Sequence, residues 1–183
     1  RTVEELQRVL HPLDERRLEW LVVDVHDTYG GSLEAAIAVC DLFLPPGRTI
    51  VLIRGRNHQV QQKYESTGSG PYLEVPIAVL INQNSASASE IVAACLQDHD
   101  RAAVVGQRSY GKGTVQRLLR TESGRSQLKL TTATYWRPSG RNIHRMRPAM
   151  GRLARRRLGR DAQRVGAPRL ADLSSPPRPG RPD

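Results

Sequence analysis

Short apolar runs that alternate with helical patterns constrain the fold of this chain more than any other feature. Leu18–Val25, Val75–Ile81 and Ala102–Val105 are compact and rich in Val, Leu, Ile and Ala, which is typical of strands buried on both faces. Between these runs, Leu33–Phe43 and Ser87–Gln97 have apolar residues at helical spacing. This alternation predicts an α/β domain with a largely parallel sheet.

The remaining segments add to this frame. Val3–Leu10 is amphipathic and predicts a helix that Pro12 ends, because proline disrupts helical hydrogen bonding. Thr49–Arg54 predicts another strand, and the polar stretch Gly55–Gly70 predicts a hairpin or an exposed loop. The last strands have no helices between them and predict antiparallel additions to the sheet: Val115–Leu119, Gln127–Leu130 and Thr132–Trp136, with turns at Ser123-Gly124 and at Thr131.

Charge divides the chain into two unequal parts. The 183 residues carry a formal charge of +10, but 11 of the 28 basic residues lie between Arg145 and Asp183, with only three acidic residues. That part is rich in Arg, Pro and Gly and has little apolar area to bury, so we expect residues 148–183 to form a disordered tail. A basic tail of this kind is also able to bind nucleic acid or a membrane surface without specificity. No run approaches the roughly 20 apolar residues of a membrane-spanning helix.

The chain has two cysteines, Cys40 and Cys95, and each lies in an apolar helical pattern. Two cysteines do not make a disulfide framework, and their spacing does not match a metal site. We expect both to be buried free thiols.

The segment Ser85-Ala86-Ser87-Ala88-Ser89-Glu90 lies between a predicted buried strand and a predicted helix. By itself the spacing from Ser87 to Glu90 favours a capping box, in which the hydroxyl and the carboxylate satisfy free backbone N–H groups at the start of the helix. A serine at this turn is also suited to nucleophilic attack, because the helix N-terminus offers N–H groups to an oxyanion.

A serine nucleophile needs a base, and the chain offers three candidates. His99 is 12 residues from Ser87 at the far end of the same predicted helix, which puts it roughly 18 Å away, so we expect a solvated role for it. His26, near Gly30-Gly31, is a weaker candidate. Lys112 lies between two glycines and can act as a base only if desolvation or a nearby positive potential lowers its pKa. An exposed lysine on a glycine-rich turn is the commoner case.

The lysine segment also matches part of a phosphate-binding loop. Gly106 to Lys112 fits its first seven positions, but Gly113 stands where the loop needs a hydroxyl for Mg²⁺. The next residues predict a strand, whereas a phosphate loop needs a helix N-terminus at this point. The pattern therefore disfavours nucleotide binding.

Taken together, the motifs resemble those of the C-terminal processing peptidases, also called tail-specific proteases. The resemblance covers about Val3 to Ile143. Three stretches carry it, in this order: Asn82–Ile91; the group Leu96–Asp98, Arg101-Ala102 and Val104–Gly106; and Tyr110–Gln116. The joint presence of both motifs, in this order and between these element types, is specific. It reverses the preference for a purely capping role of Ser87.

By this resemblance, Ser87 is the nucleophile of a serine–lysine peptidase and Lys112 is its general base. Gln116 is implied to orient the lysine, since residues four apart on one strand lie on the same face. The backbone N–H groups of Gly31 and Ala88 are implied to hold the oxyanion.

The resemblance further implies a Clp-protease/crotonase-like fold and hydrolysis of polypeptides near their C-termini through an acyl-enzyme, without a metal or an organic cofactor. Expected partners are polypeptide substrates and, in a homo-oligomer, further copies of the chain, but no specific nucleic acid. The implied location is the periplasm or another extracytoplasmic compartment.

Two departures from the family pattern bear on this hypothesis. The family usually has Arg, Asn and Pro before the double glycine, whereas this chain has His26, Thr28 and Tyr29. We expect residues 1–147 to be a protease domain that is incomplete and lacks the family's PDZ domain. The alternatives are an inactive fragment that acts as a binding module, and a nucleic-acid or membrane-surface binder that acts through the basic tail.

Overall fold

The structure is a computed structural model, and it describes residues 2–14, 18–68, 70–120 and 126–145. These residues belong to one compact unit within residues 1–147. The predicted turn at Ser123-Gly124 and the predicted tail at residues 148–183 lie outside the described residues.

Three helices and seven strands make up the described chain, and every predicted helix and strand segment overlaps one of them. In chain order they are α1 (Thr2–Asp14), β1 (Leu21–Asp24), α2 (Leu33–Asp41), β2 (Thr49–Arg54), β3 (Val60–Glu65), β4 (Ile77–Ile81), α3 (Ala88–Asp98), β5 (Ala102–Gly106), β6 (Thr114–Arg120) and β7 (Gln127–Trp136), with a short 3₁₀ turn at Arg56–His58.

The parallel sheet has three strands in the order β1-β4-β5. Val23 pairs with Val79, and Val79 pairs with Val104, so the three predicted strands lie side by side. The prediction that all three are buried on both faces is wrong for β1 and β5, where Val22 and Val105 are exposed. Because all three strands are parallel, their carboxyl ends meet at one edge, which is where ligand sites occur in sheets of this kind. The loops after β1 and β4 leave from this edge.

The prediction of one largely parallel sheet is wrong in its proportions. The four remaining strands form a separate antiparallel sheet in the order β3-β2-β7-β6. β2 and β3 are joined by a short connection and pair as a hairpin, and β2 also pairs antiparallel with β7. A short connection allows only antiparallel pairing, since a parallel pair needs a long crossover.

Two smaller predictions also need correction. Pro12 lies inside α1, which continues to Asp14. Proline has no N–H to donate, so Pro12 removes one helical hydrogen bond, and the helix ends only two residues after it. β7 passes through Thr131 without a turn, because Val115 pairs with Ala133 and Gln116 with Thr131, which leaves a β-bulge in place of the predicted turn.

The core lies between α2, α3 and the two sheets. It contains Phe43, Leu44, Ile50, Val51, Val79, Ile91 and Leu96, each almost wholly buried. Burial of each such side chain contributes about 1.5–3 kcal/mol. Because α2 and α3 both contribute side chains to this core, their packing holds the two helices in position relative to each other. Among the described helices, none has the length and apolar content needed to span a membrane.

Candidate active site

Ser87 stands at the turn between β4 and α3. Its backbone has φ 58° and ψ −115°, a conformation that a non-glycine residue rarely adopts. Strain of this kind costs about 1–3 kcal/mol and is concentrated at functional sites. Its side chain is half-buried, and α3 begins at the next residue, Ala88.

The capping interpretation of Ser87 holds in part. Ser87 and Glu90 stand in a capping-box arrangement, and the Ser87 N–H donates to Glu90 Oε2 at 2.9 Å. The Glu90 N–H also hydrogen-bonds to the carbonyl oxygen of Ser87 at 3.0 Å. The Glu90 carboxylate thus ties the start of α3 to the Ser87 backbone.

Glu90 is the polar centre of the region. Its side chain is buried, with 4 % of the residue exposed. Oε1 accepts hydrogen bonds from the Ser109 hydroxyl and the Gly111 N–H, both at 2.7 Å, while Oε2 accepts from the N–H groups of Ser87 and Lys112 at 2.9 and 2.8 Å. One buried carboxylate thus joins the backbones of the two residues that the motifs singled out.

The Lys112 loop connects β5 to β6, and its flanking glycines have a steric reason. A Cβ on residue 111 would lie 2.4 Å from Arg145 Cβ, and one on residue 113 would lie 2.3 Å from the His144 nitrogen. Gly111 also has φ +87°, and its carbonyl accepts the Arg145 N–H at 3.0 Å. The glycines therefore let the segment after β7 pass directly over the loop.

Lys112 is exposed, and so is Gln116. The strand β6 begins at Thr114, after the lysine, so Lys112 and Gln116 do not lie on one continuous strand. Strict alternation along a strand therefore does not relate the two side chains, and the geometric argument for their common orientation no longer applies. The strand that follows Gly113 also shows why the phosphate-loop pattern is misleading, since no helix begins there.

The loop after β1 packs against the serine turn. A Cβ on Gly30, which has φ +97°, would lie 2.8 Å from Ser87 Cβ and 2.6 Å from the Ala86 carbonyl oxygen. The Ala86 N–H donates to the Thr28 carbonyl oxygen at 3.0 Å. Gly31 is exposed, and a Cβ there would meet nothing within 4 Å. The double glycine thus has one member in tight contact and one facing open space.

Asp27 anchors the same loop to the residues before the serine. Its Oδ1 accepts hydrogen bonds from the side-chain amides of Asn84 at 2.7 Å and Asn82 at 3.0 Å. The hydrogen bond from Asn84, and to a smaller extent that from Asn82, lowers the pKa of Asp27. The Ser85 hydroxyl donates to the Val25 carbonyl oxygen at 2.7 Å and makes a second link.

His26 and His99, the two histidine candidates for the base, have polar partners other than Ser87. His26 Nδ1 lies 2.9 Å from Asp24 Oδ1, on the exposed side of the loop. His99 was expected to be solvated, and this is wrong: its Nε2 lies 2.7 Å from the Thr49 carbonyl oxygen. The end of α3 packs against β2, and this packing supplies the partner.

The sequence predicts Glu90 only as part of a helix cap, gives no role to Asp27 or Ser109, and marks Gly30 only as half of the double glycine. Glu90 was detectable from its spacing to Ser87. The other three act through contacts with residues more than 15 positions away, and no local pattern reveals such contacts.

Comparison with known proteins identifies the family of this chain. A family model described as peptidase family S41 matches residues 1–149. The chain belongs to peptidase family S41. A carboxy-terminal-processing protease of Bartonella bacilliformis is 42% identical over 148 residues, which cover 78% of this chain and 33% of the relative. The tail-specific protease of Haemophilus influenzae is 36% identical over 113 residues, covering 62% and 16%.

A solved S41 relative shows the same fold. The structure titled photosystem II D1 C-terminal processing protease superposes with a TM-score of 0.74 at 30% identity, covering 78% of this chain and 36% of that one. The chain spans about a third of the length of the curated relatives it matches first. It therefore corresponds to one part of those proteins.

Proposed function

We propose that this chain carries the catalytic site of a serine–lysine endopeptidase that hydrolyses polypeptides near their C-termini. The observation that carries the proposal is the Glu90 carboxylate, which accepts the backbone N–H groups of both Ser87 and Lys112. Membership of family S41 and relatives named as processing proteases support the reaction class.

In the proposed mechanism, Lys112 takes the proton of the Ser87 hydroxyl as the oxygen attacks the scissile carbonyl carbon. The N–H groups of Gly31 and Ala88 stabilise the oxyanion. When the tetrahedral intermediate collapses, the proton passes from Lys112 to the leaving amine, and an acyl-enzyme remains on Ser87. A water molecule then releases the acyl group by the same steps.

Several features of the site support these roles. Ser87 has a strained backbone at the start of α3, and Gly30 packs against it, so that the loop carrying Gly31 lies beside the start of α3. Lys112 is exposed, and a bound polypeptide would supply the dry surroundings that a lysine base needs. For Gln116 we keep the proposed orienting role, which now requires the loop before β6 to direct Lys112 toward it.

The proposal extends to the fold, the partners and the location of the protein. We infer that residues 1–147 form a protease domain of the Clp-protease/crotonase-like kind, followed by a tail at residues 148–183. Polypeptides are the proposed partners, together with other copies of the chain in a homo-oligomer, and the proposed location is extracytoplasmic.

The experiment is hydrolysis of a fluorescently labelled, unstructured protein by the 183-residue chain and its variants. Ser87→Ala and Lys112→Ala should each lower the rate by at least about 10³-fold, since the serine and its base act as a unit. Lys129→Ala, an exposed lysine on β7, and Ser89→Ala, a buried serine of the same motif, are the matched controls and should retain activity.

Hydrolysis that persists unchanged in both active-site variants would overturn the proposal. No hydrolysis by the unaltered chain would favour the inactive binding module instead. Affinity for DNA or anionic lipid that disappears on deletion of residues 148–183 would favour the basic-tail binder.

A further inference from the structure

Two buried thiols lie at matching depths in the two helices that start at the candidate site. Cys40 comes seven residues after Leu33, the first residue of α2, and Cys95 comes seven residues after Ala88, the first residue of α3. At about 1.5 Å per residue, each cysteine lies roughly 10 Å along its helix from the end nearest the site.

The thiols are in contact inside the core. Both residues are 0 % exposed and belong to the same cluster of buried side chains, in which α2 packs against α3. The Cys95 thiol hydrogen-bonds the Cys40 thiol, which together with burial raises the pKa of Cys40. Both thiols are free in the structure.

The helix pair is thus held together at two levels. At the upper level Gly30 packs directly against Ser87, where the two helices begin. At the lower level, two helical turns down, Cys40 meets Cys95. A covalent bond at the lower level would fix the relative positions of the two helix N-termini, which carry Gly31 and Ser87.

We propose that Cys40 and Cys95 form an intramolecular disulfide when the chain folds in an oxidising medium, and that this disulfide ties α2 to α3 beneath the candidate site. The bond forms during folding. In the folded chain the thiols are inaccessible, and a thiol held in its protonated form is a poor nucleophile. The inference concerns the helix pair and does not depend on peptidase activity.

A small disulfide such as oxidised glutathione supplies the oxidant. The thiolate of one cysteine attacks a glutathione sulfur, forms a mixed disulfide and releases one reduced glutathione. The thiolate of the second cysteine then attacks the first cysteine's sulfur, forms the Cys40–Cys95 bond and releases the second glutathione. The protein loses two protons and two electrons, and glutathione disulfide gains them.

The test is refolding of the whole 183-residue chain from denaturant, in parallel in a reduced/oxidised glutathione buffer and in a fully reducing buffer. The chain has two cysteines, so any disulfide within a monomer has only one assignment. After refolding in glutathione buffer, thiol titration in denaturant should find no free thiols, and the mass should fall by that of two hydrogens. The oxidised form should melt on the order of 10 °C above the reduced form, because the bond closes a long loop.

Cys40→Ser is the control and should keep one thiol or one glutathione adduct. Two free thiols, or two glutathione adducts, in the unaltered monomer after refolding would overturn the proposal. A disulfide that lowers the melting temperature would overturn its second part, since such a bond would not fit the native helix pair. Slow reaction of the folded, reduced chain with a thiol reagent, and fast reaction after denaturation, would agree with formation during folding.

Discussion

The backbone N–H groups of Ser87 and Lys112 donate to the same oxygen atom, Oε2 of Glu90, at 2.9 and 2.8 Å. The two residues are 25 positions apart in the chain and lie on different connections, one before α3 and one before β6. Their backbones meet because one buried carboxylate needs several donors. This relationship makes the geometry of the site sensitive to Glu90.

Replacement of Glu90 by glutamine should therefore damage both the fold and the site. All four partners of the carboxylate are donors, and a glutamine amide would point its own N–H groups at two of them. We expect the free energy of unfolding to fall by about 2–4 kcal/mol, as for lost hydrogen bonds to a charged, buried group. Urea unfolding followed by circular dichroism measures this change. Glu19→Gln, at an exposed position, is the control and should change the value by less than about 0.5 kcal/mol; equal values for the two variants would contradict the role of Glu90.

The double glycine offers a matched pair of substitutions. Gly30→Ala places a Cβ 2.8 Å from Ser87 Cβ at a residue with φ +97°, whereas Gly31→Ala meets nothing within 4 Å. We expect Gly30→Ala to cost about 1–3 kcal/mol of stability and at least about 10²-fold in hydrolysis, because the turn that carries Ser87 must shift. Gly31→Ala keeps its backbone N–H and should remain near the parent chain in both measurements. The prediction fails if alanine is tolerated equally at both positions.

Gly113, the second of the two glycines beside Lys112, should tolerate substitution by alanine as poorly as Gly30. A Cβ on residue 113 would lie 2.3 Å from the His144 nitrogen, so Gly113→Ala must push the segment after β7 away from the loop. We expect a loss of about 1–3 kcal/mol of stability, with hydrolysis reduced more than stability alone explains. Gly140→Ala serves as a comparison, because a Cβ there has open space and only the positive φ opposes it. An equal loss of hydrolysis in both variants at a temperature where both are folded would argue against a specific effect on the loop.

The ion pair at the end of α3 predicts a dependence of stability on pH. Burial raises the pKa of Asp98, but hydrogen bonds from Arg137 and Ser139 outweigh this effect and hold the pKa below its ordinary value. A carboxylate with a lowered pKa in the folded state stabilises the fold above the unfolded value of about 3.9, and this contribution is lost as the pH falls through the folded pKa. Unfolding by urea at pH 7 and at pH 3 should therefore show a smaller loss of stability on acidification in Asp98→Asn than in the parent chain. An identical pH dependence of stability in the two proteins would show that Asp98 does not contribute to it.

The sequence was sufficient to locate the elements and the motif residues. Apolar runs and helical spacing are local patterns, so the strands, the helices and the position of Ser87 at a strand-to-helix turn follow from them. The pairing of strands is not local. β2 has the composition of a buried parallel strand, and only its hairpin with β3 and its contact with β7 put it into the antiparallel sheet. For the same reason Thr131, expected at a turn, lies within a continuous strand beside a β-bulge.

For the candidate site, the sequence by itself determined which residues we propose for the chemistry: the Ser87 motif, the glycine-flanked Lys112 and the double glycine at 30 and 31. The tertiary structure decided how they are held, through the shared Glu90 carboxylate and the contact of Gly30 with Ser87. The reason is physical. Propensity and periodicity act over a few residues, whereas a buried charge takes its hydrogen bonds from whichever backbone the fold brings within about 3 Å.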